Sequence, residues 1–247
     1  MSLKKKLLIT LSTVVAVVAL VATSILGTVA YMTSSAYVSN SFTVGNVQIS
    51  ITEGLVGTDG QLKDGGTTRT NQNTYHLIPG KTYDKDPRIE VHEDTEPCYL
   101  FVTLKNGIAA IEDPDQDTMR KQMENNGWSY YKTTSVGTDV FVYRGTELGE
   151  SALVAQAVCG TKRATSMTNG EGIVSATNIK VFEKFHLRTT ITTDGNFKDY
   201  ESATVIVYAF GIQVSGFGDL GSQAAIDSAW KAVVERFTFI QDNVAAP

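Results

Sequence analysis

Apolar and polar residues alternate with period two over residues 42–52. Phe42 and Val44 share one parity, and Val47, Ile49 and Ile51 take the other, with Thr43, Gln48, Ser50 and Thr52 opposite. This is the pattern of a half-buried strand, and Gly45 between the two registers predicts a bulge. Residues 54–74 hold Gly, Thr, Asp and Asn with few apolar anchors and predict a long exposed loop. Leu77-Ile78-Pro79-Gly80 is a turn signal leading into a short alternating strand, Arg88–His92. Tyr99–Lys105 is almost continuously apolar, which predicts burial on both faces and a central strand ending at Asn106-Gly107.

The next segment changes period. Asp113-Pro114 predicts the start of a short helix running to Asn125, with Asp113 as cap, Pro114 in the first turn and Gly127 at the stop. Two strands follow, Trp128–Lys132 and Asp139–Arg144, joined near Gly137. Ala152–Cys159, Ile179–Leu187 and Ala203–Ile212 are further strand segments. From Ser222 the spacing of Ile226, Ala229, Trp230, Val233, Val234 and Phe237 predicts a helix with one apolar stripe, packed across a sheet edge or end. Many short strands with one or two short helices and no composition break read as a mainly β chain folded into a single antiparallel β-sandwich, residues 31–247.

Residues 1–30 stand apart. Lys4-Lys5-Lys6 precede an apolar run from Leu7 to Leu26, and small residues follow to Thr28-Val29-Ala30. Charge, then apolar stretch, then small residues is the order of a secretory signal helix, with cleavage between Ala30 and Tyr31. The run is nearly long enough to remain instead as a membrane anchor. Export changes the reading of the two cysteines: an even count in an oxidising compartment suggests a disulfide between Cys98 and Cys159, and two buried free thiols are the alternative.

The chain carries 21 Lys and Arg against 26 Asp and Glu, a formal charge of −5. Loss of the three leader lysines makes the remainder more acidic still. That balance argues against nucleic acid as a partner and against docking on anionic lipid, so the membrane enters only through an uncleaved leader.

The leader, through Gly27-Thr28-Val29-Ala30-Tyr31, and the strand Ser41-Phe42-Thr43-Val44-Gly45-Asn46-Val47 together resemble the start of TasA/camelysin proteins of Gram-positive bacteria. Leu77–Pro87, Cys98–Val102, Tyr208-Ala209-Phe210 with Gly216-Phe217, and Ala229-Trp230 resemble a Clostridia-like branch of that group. The resemblance implies export through a SipW-type signal peptidase and a jelly-roll-like sandwich. It also implies a non-catalytic surface or biofilm-matrix role, with self-association into fibres or association with other matrix proteins. In that setting Tyr31–Ile51 would be a donor arm, its strand residues Phe42, Val44, Val47, Ile49 and Ile51 completing a neighbour's sheet; pairing within its own subunit is the ordinary alternative. A monomeric adhesin, binding through loops 54–74 and 161–178, is a further alternative.

Camelysin relatives also imply a metallopeptidase, yet the chain has only His76, His92 and His186, and Glu96 stands where a zinc-helix motif after His92-Glu93 needs histidine. Asp113, Asp115, Asp117 and Glu124 imitate calcium-loop spacing, but Thr118 replaces the turn glycine, and the acids suit a helix N-terminus. Glu90, Glu93, Asp94 and Glu96 read as a solvated charged loop. No catalytic residue, cofactor site or metal ligand set is assigned. Intact-mass and N-terminal sequencing of the exported protein should find a chain beginning at Tyr31; one retaining Leu7–Leu26 would identify an anchor.

Overall fold

A computed structural model describes residues 46–145, 154–163, 173–190, 200 and 203–236. The leader, the cleavage pair Ala30 and Tyr31, and the strand residues Phe42 and Val44 lie outside them. Among the described residues no helix is long and apolar enough to cross a membrane.

The protein is mainly β. Strand β5 (Cys98–Asn106) runs through the middle of a six-stranded sheet. Along one edge it pairs with β12 (Val205–Gln213) over its whole length, from Cys98 opposite Gln213 to Asn106 opposite Val205. Along the other it meets β7 (Asp139–Tyr143) and, at Cys98, β8 (Ala157–Cys159). β6 (Trp128–Thr133) extends the sheet beyond β7, and β9 (Ile173–Ser175) lies parallel to β8. That parallel pair departs from the antiparallel expectation.

A four-stranded sheet has the order β10 (Asn178–Lys180), β4 (Arg88–Val91), β1 (Ile49–Gly54), β2 (Arg69–Thr70). A two-stranded ribbon joins β3 (Thr82–Asp84) to β11 (Lys184–His186).

Alternation along β5 sorts its side chains into two cores. Cys98, Leu100, Val102 and Leu104 pack with Ile89, Val91, Ile179, Tyr83 and Phe185 of the smaller sheets. Tyr99 and Phe101 point the other way and pack with Phe210, Ile212, Ile226 and Trp230. Those last two belong to helix α2 (Gln223–Arg236), which begins as its periodicity predicts, with the Ser222 hydroxyl accepting from the Ala225 amide at 3.2 Å. It packs against the face of the central sheet, not an edge or end. Each large apolar side chain withdrawn from water here contributes about 1.5–3 kcal/mol.

Helix α1 (Met119–Asn125) starts later than the sequence suggests. Its cap is Thr118, whose side chain accepts from the Lys121 amide, while Asp113 folds on itself and accepts from the Asp115 amide at 3.0 Å. The stop is as expected: Gly127 has φ +85°, a conformation that favours glycine. Ile179–Leu187 is two strands, not one. Between them Val181 and Phe182 are buried, and Val181 N–H donates to the Pro87 carbonyl at 2.9 Å as the chain leaves one sheet for the other.

The expected 54–74 loop is also more structured than its composition implies. Val56 is buried and bridged to Leu62, and Arg69-Thr70 pair with Gly54-Glu53.

The two cysteines correct the disulfide expectation: both are free and buried. Cys98 lies opposite Val158, so period-two alternation turns the Cys159 side chain to the other face of the sheet. Burial pushes the Cys98 thiol up to about 12, with the neighbouring Cys159 adding to it.

Buried Glu112 ties three elements together. Its carboxylate accepts from the Met119 amide at 2.8 Å and from Asn106 Nδ2 at 2.6 Å, and its carbonyl accepts from Arg188 Nε. Burial raises its pKa above the ordinary 4.5, and the two hydrogen bonds oppose that only in part. A raised carboxyl pKa means that the folded state holds the proton more tightly. Its contribution to stability is therefore complete below about pH 4.5 and lost as pH rises through the folded pKa. Unfolding titrations of wild type and Glu112→Gln across that range should show their stability difference shifting toward the variant as pH rises; a pH-independent difference would contradict this.

Candidate functional site

A concavity of about 540 Å³ lies where the end of β1 approaches the start of β12. Ile51, Leu77, Ile108, Phe185, Val205 and Val207 supply its apolar wall. Asn71–Thr74, Glu53 and Lys85 supply polar groups, and Tyr75, Tyr200 and Tyr208 aromatic ones.

Main-chain geometry makes this a place for a strand. On β1 the Gln48 carbonyl accepts from His92 N–H at 3.1 Å, so Gln48, Ser50 and Thr52 turn their peptide groups toward β4. Val47, Ile49 and Ile51 therefore turn theirs away from it, while their side chains stay half-buried against the core. On β12, Thr204 accepts from Gly107 N–H and Val214 donates to Pro97, both at 3.0 Å. Even-numbered residues thus face β5, and the peptide groups of Val205, Val207, Ala209 and Gly211 turn outward. Among the described residues, β2 reaches β1 only at Glu53 and Gly54, and β5 is the single strand paired with β12. Ile51, Val205 and Val207 carry both outward edges into the cleft wall.

The opposite end is pinched. A Cβ on Gly211 would lie 2.6 Å from Val47 Cγ1 and 3.4 Å from Ile49 Cδ1, so the absence of a side chain there lets β1 approach β12.

Leu77–Pro87, a stretch singled out above as a motif, contributes Leu77, Lys85 and Pro87 to the lining. Pro79 and Gly80 (φ +73°) form a type II turn closed by Lys81 N–H donating to the Ile78 carbonyl at 3.2 Å. Buried Tyr83 holds the turn, its hydroxyl donating to the His76 carbonyl and accepting from Ile78 N–H. Tyr83 stacks on Phe185 with ring centres 5.0 Å apart, and Tyr75 packs edge-on against both.

Asp84, Lys85 and Asp86 then point into a network. The Asp86 carboxylate is 3% exposed and accepts from Gly54 N–H at 2.5 Å, Arg69 Nη1 at 2.8 Å and Arg88 Nε at 3.2 Å. Arg69 Nη2 also donates to the carbonyls of Thr52 and Asp86. Lys85 Nζ lies 2.5 Å from Glu53 Oε2, with side-chain exposures of 10% and 8%. Tyr75 donates to the Asp84 carbonyl at 2.9 Å; burial, then the Glu53, Asp86 and Asp84 charges, raise its pKa far above the ordinary tyrosine value. It is a neutral donor at physiological pH.

The other sequence candidates are dispersed. His76 and His92 are exposed, and His186 sits on β11 with Nδ1 2.8 Å from Thr82 Oγ1. Burial, then Lys184, lowers the His186 pKa. Among the described residues no three or more His, Cys, Asp or Glu side chains are grouped to hold a metal. Glu93 and Asp94 pair with Lys162, and Glu96 pairs with Arg163 at 3.0 Å, so a distant segment offsets part of that loop's negative charge.

Sequence reading missed Arg69, Asp86, Lys85 and Glu53 as a set. Asp84-Lys85-Asp86 beside a proline was visible, but its partners lie 17 and 32 residues away.

Comparison with family models, with curated proteins and with solved structures finds no match.

Removing one member of a buried ionic set leaves the others unpaired, at about 3–5 kcal/mol. Asp86→Ala should lose about 3 kcal/mol in denaturant unfolding, and Arg88→Ala, which removes a side chain itself 39% exposed, less than about 1 kcal/mol.

Proposed function

We propose that this protein is a secreted, non-catalytic structural component of a bacterial cell surface or biofilm matrix, and that it assembles by strand exchange. The carrying observation is the cleft between the outward main-chain edges of β1 and β12. An added strand would meet the outward N–H and C=O groups of Ile51 or of Val205 and Val207, with apolar side chains beneath it. Main-chain pairing supplies affinity in such additions, and pockets for alternate side chains supply selectivity.

The leading segment supports the same reading from the sequence. From Tyr31 to Thr52 it has no charged side chain, so inserting the strand desolvates no side-chain charge of its own. The TasA/camelysin resemblance agrees: a SipW-type peptidase would release Tyr31, and, since Ile49 and Ile51 already pair with β4 of their own subunit, only residues 31–45 of the Tyr31–Ile51 arm would enter the cleft of the next. The two cores and their facing sheets are read in this scheme as a jelly-roll-like sandwich. The peptidase alternative rests on resemblance alone, and no arrangement of the described side chains favours it.

Purified protein beginning at Tyr31 should form filaments under negative-stain microscopy, and deletion of Tyr31–Asn40 should abolish them while leaving the far-ultraviolet circular dichroism of the body intact. A Tyr31 protein that stays monomeric in sedimentation at high concentration would refute strand exchange.

A further inference from the structure

The cleft does more than offer a sheet edge: it holds a buried ion pair in its wall. Lys85 and Glu53 are each about nine-tenths buried, 2.5 Å apart, and both line the concavity. Tyr75 covers the ammonium from one side, with its ring centre 5.9 Å from Lys85 Nζ. An ammonium has three N–H donors and a carboxylate about four acceptor sites, so one contact between them satisfies a small part of either. Whatever enters beside them meets a donor and an acceptor side by side.

The chemistry of that pair discriminates among incoming groups. A carboxylate would be drawn to Lys85 and repelled by Glu53, and an ammonium the reverse. An apolar group would strip water from both charges and return no hydrogen bond. A carboxamide is neutral and carries an acceptor and a donor on separate atoms about as far apart as the two charges, so it meets both at once, where a Ser or Thr hydroxyl has one oxygen to serve both.

We propose that the Lys85–Glu53 pair is a specificity determinant that reads a side-chain amide on the inserted strand, and that Asn40 of the leading segment is that amide. This rests on the strand-exchange reading. Asn40 is the sole carboxamide between Tyr31 and Gly45, a stretch otherwise of Ser, Thr, apolar and aromatic residues. The contact sets register: a shift of one residue along the cleft turns an alternating strand over and presents the wrong face. Asn40 therefore locates Phe42 and Val44 relative to the apolar wall.

The test uses the full chain from Tyr31 and varies the arm first, because a change at residue 40 leaves the cleft wall intact. Critical concentrations for assembly are measured by sedimentation for wild type, Asn40→Gln, Asn40→Asp, Glu53→Gln and the double variant Asn40→Asp with Glu53→Gln. Asn40→Asp places a second carboxylate beside Glu53 and should raise the critical concentration roughly tenfold or more. The double variant leaves one carboxylate beside Lys85 and should return to within about threefold of wild type, a rescue that loss of general β propensity would not produce. Asn40→Gln should lie nearer wild type than Asn40→Asp.

Wild-type assembly with an unaffected Asn40→Asp variant, or with no rescue by Glu53→Gln, overturns the amide contact and leaves strand exchange standing. Wild type that never assembles overturns strand exchange. Where wild type does not assemble, the same variants are compared by thermal unfolding: non-additive effects of Asn40→Asp and Glu53→Gln place the contact within one chain, and additive effects overturn it as well. Melting of Glu53→Gln alone reports whether that variant folds, and Asn40→Lys with Lys85→Met supplies the mirror-image rescue if it does not.

Discussion

Burial of β5 on both faces is the constraint around which the protein is organised. Seven consecutive residues, Cys98 to Leu104, are withdrawn from water, and period two sends them alternately into two separate cores. A strand in that position must satisfy every peptide group within the sheet, because no water reaches it. β12 does this along one edge for the full length, and β7 with β8 do it along the other. Once those pairings are made, the odd-numbered face needs a cover, which the apolar stripe of α2 provides. The even-numbered face needs another, which β1, β4, β10 and the β3–β11 ribbon provide.

The covering strands are short, and polar interactions hold their ends. Asp86 joins the end of β1 to β2 and to the start of β4 by accepting from Gly54, Arg69 and Arg88. Such a buried set adds little net stability compared with apolar packing, but it tolerates few alternative arrangements because each missing partner leaves a desolvated charge. Its consequence is a defined wall. Glu53 and Lys85 hold fixed positions beside the cleft.

Elements whose fate depends on near neighbours were legible in advance. The β6–β7 hairpin with its turn at Gly137, the central position of Tyr99–Lys105 and the helix from Ser222 all follow from local period and turn chemistry. Elements decided by distant partners were not. Asp113 is a good cap in isolation, yet Thr118 caps α1 because Glu112, anchored by Asn106 and Arg188, receives the Met119 amide and fixes where the helix starts. Ile179–Leu187 is continuous in propensity but divides because its two halves pair with strands in different sheets. The composition of 54–74 implies a loop, and only the pairing of Arg69-Thr70 with β1 and the reach of Arg69 to Asp86 make it part of the cleft wall.

The sequence by itself determined the β class, the two-faced central strand, the acidic surface and the apolar stripe of α2, since each is written in residues close enough to interact through one local period. Tertiary structure alone decided that Cys98 and Cys159 face opposite sides of a sheet, that Lys85 meets Glu53, and that β1 and β12 turn main-chain groups toward a shared cleft. Those outcomes depend on strand register and sheet order, which arise from contacts between residues tens to more than a hundred positions apart and leave no periodic trace along the chain.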